Sequence, residues 1–290
     1  MRPSSPFNRA YRWWQRHFGL PELSRSQTDL SAWFHTPLGE TLLAQEREAL
    51  DQRLQDRFGY HLLQMSVTPE LDVSAGSRIA HRVTVGACIG SVTSTGAVTG
   101  TGTGKESVLS GLMADHRQLP LPGESIDMVV LHHALDYCEN PHQLLREVQR
   151  VLIPRGHLII LGFNPWSGLG GVRGVARLFS THAVWHHRAL RLGRLLDWLP
   201  LLDLVPDSVE QGFFRPPVNS PGLMRRTQWL ETWGKRFRLP GGAFYVVVAC
   251  KEVGGAVPLK PPWENADKGF RGLGGVQPLN KTQKAARSNS

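Results

Sequence analysis

Residues 114–167 constrain the fold more than any other part of the chain: ADHRQLPLPGESIDMVVLHHALDYCENPHQLLREVQRVLIPRGHLIILGFNPWS. Residues 126–131 are a continuous apolar, β-branched run, the pattern of a strand buried on both faces. Asn140 followed by Pro141 reads as an N-cap and first helical position. Leu144, Leu145, Val148, Val151 and Leu152 then recur at helical spacing, with Gln143, Arg146, Glu147, Gln149 and Arg150 on the opposite side. Pro154 and Gly156 are expected to end that helix, and residues 157–163 form a second apolar strand. Strand, helix and strand with short links make a right-handed crossover within a parallel sheet.

The remaining chain fits around this unit. Candidate strands fall at 61–67, 81–88 and 111–115 before it, and at 201–214 and 243–251 after it. A helix is expected to start near Pro37, marked by Leu38, Leu42, Leu50 and Leu54. Residues 168–199 form a basic amphipathic region with two helices. Phe7, Tyr11, Trp14 and Phe18 recur at helical spacing among Arg9, Arg12 and Arg16. That pattern suits a short helix packed on the domain, a membrane-surface helix or a transit peptide.

The formal net charge is +9, but it is unevenly spread. Residues 1–21 carry +4, residues 265–290 carry +4, and residues 173–238 carry +6, whereas residues 22–172 sum to −5. Basic ends of this kind are ordinarily solvated tails, with contact to nucleic acid or an anionic membrane surface as the alternative. Arg173, Arg177, Arg188, Arg191 and Arg194 could steer an anionic substrate. Cys88, Cys138 and Cys250 are isolated, which excludes a disulfide framework or a zinc ribbon and suits a reducing cytoplasm.

The central motifs resemble class I S-adenosylmethionine (SAM) methyltransferases of the type-11 kind. There an ADA..LPLP...FD turn closes the third strand and a LREV.RVL.P.G.L helix leads into the fifth. More narrowly, LHHALDYCENPHQLLREVQRVLIPRG and GFNPWS are similar to a bacterial subgroup, the YafS-like proteins. The resemblance covers roughly residues 33–251. It implies a Rossmann-like, doubly wound α/β fold with a mostly parallel, seven-stranded sheet and N-terminal helices covering the cofactor cleft. The expected organisation is an N-terminal helical extension at 1–59, the methyltransferase-like domain at 60–251 with a flexible insertion at 88–110, and a disordered basic tail at 252–290.

In such a fold the ligand sits at the carboxyl ends of the strands, where strand order reverses. The family's glycine-rich turn after the first strand should fall at Gln64-Met65-Ser66-Val67-Thr68-Pro69-Glu70, which contains no glycine. Pro69 has no amide to donate, and β-branched Val67 and Thr68 resist positive φ. Gly86, Ala87 and Cys88 stand where the ribose-binding acid is expected. The later run Gly100-Thr101-Gly102-Thr103-Gly104-Lys105 leaves too little chain before Asp115 for the intervening elements, since a parallel crossover takes roughly a dozen residues. It also fails the phosphate-loop spacing.

The resemblance assigns Asp115, with His116, to the adenine. Gln64, Ser66 and His132 are the further candidates for cofactor contact, and His133, Tyr137, Asn164 and Trp166 for the substrate cleft. His132 and His133 are adjacent, and adjacent strand residues face opposite ways, so no shared metal is expected from them. The resulting expectation is methyl transfer from weakly bound SAM to an unknown acceptor, for which the internal arginines suggest an anion. The alternatives are a non-catalytic binding module on the same fold and a basic adaptor for nucleic acid or membrane.

Overall fold

The computed structural model describes residues 23–68, 70–88, 98–99, 110–115, 119–179, 185–218, 220–237 and 239–252. The aromatic helix expected near the start, the basic tail from 253 onward, and most of the 88–110 insertion lie outside these residues, as does His116.

Two helices precede the sheet, α1 (Leu23–Phe34) and α2 (Pro37–Leu54). The sheet then begins with β1 (His61–Ser66), β2 (His81–Cys88), β3 (Val98–Thr99), β4 (Ser110–Asp115) and β5 (Ile126–His132). A short helix α3 (Ala134–Tyr137) and the crossover helix α4 (Pro141–Val151) lead into β6 (Leu152–Phe163). Next come α5 (Gly168–Phe179), α6 (Leu192–Trp198), β7 (Leu204–Gly212), α7 (Pro221–Arg226), α8 (Gln228–Arg236) and β8 (Phe244–Lys251). No helix among the described residues is long and apolar enough to cross a membrane.

The sheet order is β3-β4-β2-β1-β5-β6-β8-β7. Strands β4, β2, β1, β5 and β6 run parallel, while β8 and β7 are antiparallel and β3 pairs antiparallel with β4. The open, mostly parallel sheet is the one expected, but among the described residues it has eight strands where seven were anticipated. The extra one is Val98–Thr99, so the 88–110 insertion contributes backbone pairing to the sheet edge. Strand order reverses between β1 and β5, and the register sets Ser66 beside both Gly86 and His132. The carboxyl ends of β1, β2 and β5 therefore lie in one row.

One local reading of the sequence needs correction. Pro154 and Gly156 do not form a separate stop, because β6 starts directly at Leu152, pairs there with Ile126, and resumes pairing at His157 after an irregularity. Arg155 adopts φ 64° to make that bend. The segment between β1 and β2, where the family pattern calls for a crossover helix, contains only turns and bends among its described residues.

Helix α2 supplies cover for that face instead. Leu42, Leu50 and Leu54 pack with Leu62, Met128, Val130, Ile159, Val246 and Val248 in one core cluster. Leu144, Leu145, Val148 and Val151 of α4 bury against the opposite face with Leu63, Val129 and Ile160. Both faces of the central strands are thus covered, which is why their sequences are continuously apolar.

The turn between α1 and α2 is tight. The Thr36 side chain caps α2 by accepting from the Gly39 amide at 3.2 Å, and Pro37 occupies the first turn. A Cβ on Gly39 would collide with the Trp33 carbonyl oxygen and the Phe34 backbone. Gly39→Ala is expected to lower unfolding free energy by about 1–3 kcal/mol through this overpacking, measured by urea denaturation. An unchanged midpoint would mean that the two helices separate at no cost.

At the far end of the sheet, Lys251 caps α4. Its buried ammonium donates to the carbonyls of Leu152 at 2.7 Å and Gln149 at 2.9 Å. Carbonyls in the last turn of a helix have no intrahelical donor, so this charge supplies one. Lys251→Met should cost about 1–3 kcal/mol by leaving them unpaired. A melting midpoint equal to wild type would contradict that role.

Candidate functional site

The carboxyl ends of β1 and β5 and the middle of α2 enclose a fully buried polar cluster: Ser66, Glu46, His132, His133 and Asp136. Each imidazole is held at both nitrogens. His132 Nδ1 lies 3.0 Å from Ser66 Oγ and its Nε2 3.3 Å from Glu46 Oε2. His133 Nε2 lies 3.1 Å from Glu46 Oε1, and its Nδ1 lies 3.1 Å from Asp136 Oδ2.

His132 is the last residue of β5, and strand alternation alone would turn His133 to the other face. Instead His133 leaves the strand in the left-handed region, with φ 54° and ψ 8°. That conformation swings its ring back beside His132, their centroids 4.6 Å apart. The strand alternation on which the expectation of no shared metal rested does not hold here, because β5 ends at His132. A non-glycine residue in the left-handed region is strained, and here the Glu46 and Asp136 contacts hold it.

Charge in the cluster follows from burial and pairing. Burial pushes the Glu46 carboxyl up, but the His133 charge and hydrogen bonds from both imidazoles reverse this and hold it below the ordinary carboxylate value. Burial alone would lower His133, yet the Glu46 charge and the bonds to Asp136 and Glu46 raise it to about 9. His132 moves down, chiefly through burial, with the neighbouring His133 charge adding to the effect against Glu46. Carboxylates face both ring nitrogens of His133 and favour its charged form, whereas burial favours the neutral form of His132.

Asp136 does more than face His133. Its Oδ2 accepts from the Phe163 amide at 2.9 Å, and its Oδ1 from the Leu190 amide at 3.4 Å. Phe163 stacks on His133 with centroids 3.8 Å apart, and Phe34 of α1 stacks on His132 at 6.0 Å. The cluster is thus roofed by an aromatic side chain from α1 and backed by one from β6.

The other anticipated residues are distributed around it. Gln64 is fully buried, donating to the Leu71 carbonyl at 2.8 Å and accepting from the Val73 amide at 3.2 Å. It fixes the β1–β2 connection. Ser66 also accepts from the Thr68 amide at 3.2 Å. Asp115 ends β4, its backbone paired with Cys88. Tyr137 is buried against His187, its hydroxyl without a hydrogen-bond partner among the described residues.

Asn164 is spent on structure, donating to the Gly242 carbonyl at 2.9 Å and accepting from the Trp166 amide at 3.0 Å. Trp166 is 70 % exposed, with the Arg191 guanidinium 5.2 Å from its ring centroid. A cleft lined by Trp33, Phe163, Asn164, Leu169, Trp185 and Ala243 opens beside Phe163.

Glu46 was missed by the sequence reading. Its signal is positional: it sits three residues after Leu43 and four before Leu50, on the apolar stripe of α2, where an acid needs a partner.

As they stand, the described residues at the β1 end do not fit SAM. Residues 64–70 contain no glycine, and Gln64 and Ser66 already satisfy internal groups. Phe34 covers the ring of His132, the third residue expected to touch the cofactor.

A doubly wound sheet in this strand order, followed by an antiparallel final pair, defines the methyltransferase α/β fold. Residues 71–160 match the family described as "Methyltransferase domain". The chain is 32% identical over 176 residues to the uncharacterized protein YafS of Escherichia coli strain K12, covering 59% of this chain and 63% of that protein. It is also 30% identical over 105 residues to a malonyl-[acyl-carrier protein] O-methyltransferase of Methylovorus sp. strain MP688, covering 36% of this chain and 31% of that one. The chain thus spans less than two thirds of the length of either curated relative. Among solved structures, it resembles a chain of the complex between the Haloferax volcanii Trm112 methyltransferase activator and a methyltransferase. That likeness has a TM-score of 0.54 and 14% identity, over 79% of this chain and 99% of the other, and speaks for the fold alone.

Proposed function

We propose that this protein is a SAM-dependent methyltransferase of class I type, acting on an acceptor not yet identified, with a donor site rebuilt at its β1 end. The observation that carries the reading is the row of strand ends at the reversal point, with Asp115 ending β4 where the family holds its adenine-side acid. Methyl transfer from a sulfonium depends on alignment of donor and acceptor, so no fixed catalytic triad is required. Among this chain's residues, the cleft beside Phe163 is the acceptor side, and Arg173 in its lining suits it to an anionic acceptor.

A second reading has its own support. Gln64 and Ser66 are committed to internal hydrogen bonds, and His132 lies under Phe34, which favours a module that kept the sheet and gave up the donor site. Incubation with methyl-labelled SAM and an extract of small molecules and proteins separates the two. Label transfer that disappears in Asp115→Ala supports the transferase. No transfer by a folded protein moves the reading to the binding module.

A further inference from the structure

We propose that Glu46, His132 and His133 form a three-ligand site for a divalent first-row transition ion, zinc in the first place. Their ligand atoms all lie within 4.8 Å of one another, and all three side chains are buried. A tetrahedral zinc with bonds of about 2.0–2.1 Å keeps neighbouring ligands about 3.3 Å apart. The two Glu46 oxygens lie 3.1 Å from His133 Nε2 and 3.3 Å from His132 Nε2, close to that spacing, and the three ligand groups would draw together around an ion.

The outer contacts strengthen the assignment. Metal-bound imidazoles almost always give their second nitrogen to an oxygen partner that fixes tautomer and ring orientation. Here both do so, His133 through Nδ1 to Asp136 and His132 through Nδ1 to Ser66. The strained backbone at His133 serves the same end, since it is what turns the second Nε2 toward Glu46. Two imidazoles and one carboxylate suit zinc or iron(II) better than magnesium or calcium, which prefer oxygen. The ion takes the place of the protons now shared between Glu46 and the two rings. It fastens α2 to the end of β5, and three protein ligands leave a fourth coordination position for a molecule as small as water.

The test is metal analysis of untagged, full-length protein, followed by zinc and cobalt(II) titration after chelator treatment. The expected result is about one tightly held ion per chain, a raised melting midpoint on adding metal, and a visible cobalt spectrum. His132→Gln and Glu46→Gln should abolish all three signals. Asp136→Asn, which keeps the ligands, should weaken affinity by about 10–100-fold. His81→Gln, at the exposed His61–His81 pair, should change nothing. Wild-type protein that holds no metal and shows no midpoint shift with zinc or cobalt overturns the site. So does binding that is undiminished in both His132→Gln and Asp136→Asn, a pair that keeps the result decisive if Glu46→Gln does not fold.

Discussion

Glu46→Ala is expected to lower the unfolding free energy by about 3–5 kcal/mol, measured by urea denaturation of chelator-treated protein. The carboxylate is buried, and two imidazoles turn their Nε2 atoms toward it. Removing it leaves His133 as a buried cation with only Asp136 as a counter-charge, and leaves the His132 Nε2 without its partner. Breaking one side of a buried pair costs more than the pair contributes, because the other charge stays out of water. Glu46→Gln should cost less, since its amide still accepts one hydrogen bond. The effects of Glu46→Ala and Asp136→Ala should be strongly non-additive, as both act on the same ring. A loss below about 1 kcal/mol for Glu46→Ala would mean that His133 finds water or a new partner when the carboxylate is gone.

Phe34→Ala should cost about 3–5 kcal/mol as well, by a different route. The ring is 2% exposed and joins the core cluster shared by α1, α2 and the sheet. Its loss removes apolar burial and leaves a cavity over His132, since α1 is held close to α2 by the tight turn at Gly39. The same substitution uncovers the donor end of the sheet. SAM affinity should then rise relative to wild type while stability falls, because the covered arrangement no longer competes with the ligand. Falling stability with unchanged affinity would assign α1 a purely structural part.

How much of this was legible in the sequence depends on the element. The β5–α4–β6 crossover was readable because its strands are apolar on both faces and its helix has a single apolar stripe. Pro141 at N1 marked its start. The last two strands were placed at 201–214 and 243–251, and their antiparallel pairing is what the family resemblance implies rather than what their own pattern dictates. Helices α7 and α8 were not anticipated, because Trp229, Trp233 and Phe237 remain exposed and give no burial pattern to read.

The site was only partly readable. His132 and His133 were singled out from their place after β5, but their convergence depends on one positive φ, which residue type alone disfavours. Glu46 is eighty-six positions from His132, and only the packing of α2 over β5 brings them together. Gln64 and Ser66 were recognised as polar groups at the right strand end. Their partners, Leu71, Val73 and Thr68, could not be inferred because the β1–β2 connection has no periodic pattern.

The central claim is that the chain keeps the methyltransferase sheet while the β1 end of its donor site has been rebuilt. Calorimetric titration with SAM and with its demethylated product tests this most directly, on wild type and Asp115→Ala. Losing one charge-assisted hydrogen bond is worth about 1.5–3 kcal/mol, or about one to two decades in affinity. The missing glycine turn and the missing ribose acid each remove contacts of that kind. The account predicts weak wild-type binding, visible only at high ligand concentration, that Asp115→Ala reduces further. Tight binding indifferent to Asp115→Ala would contradict it.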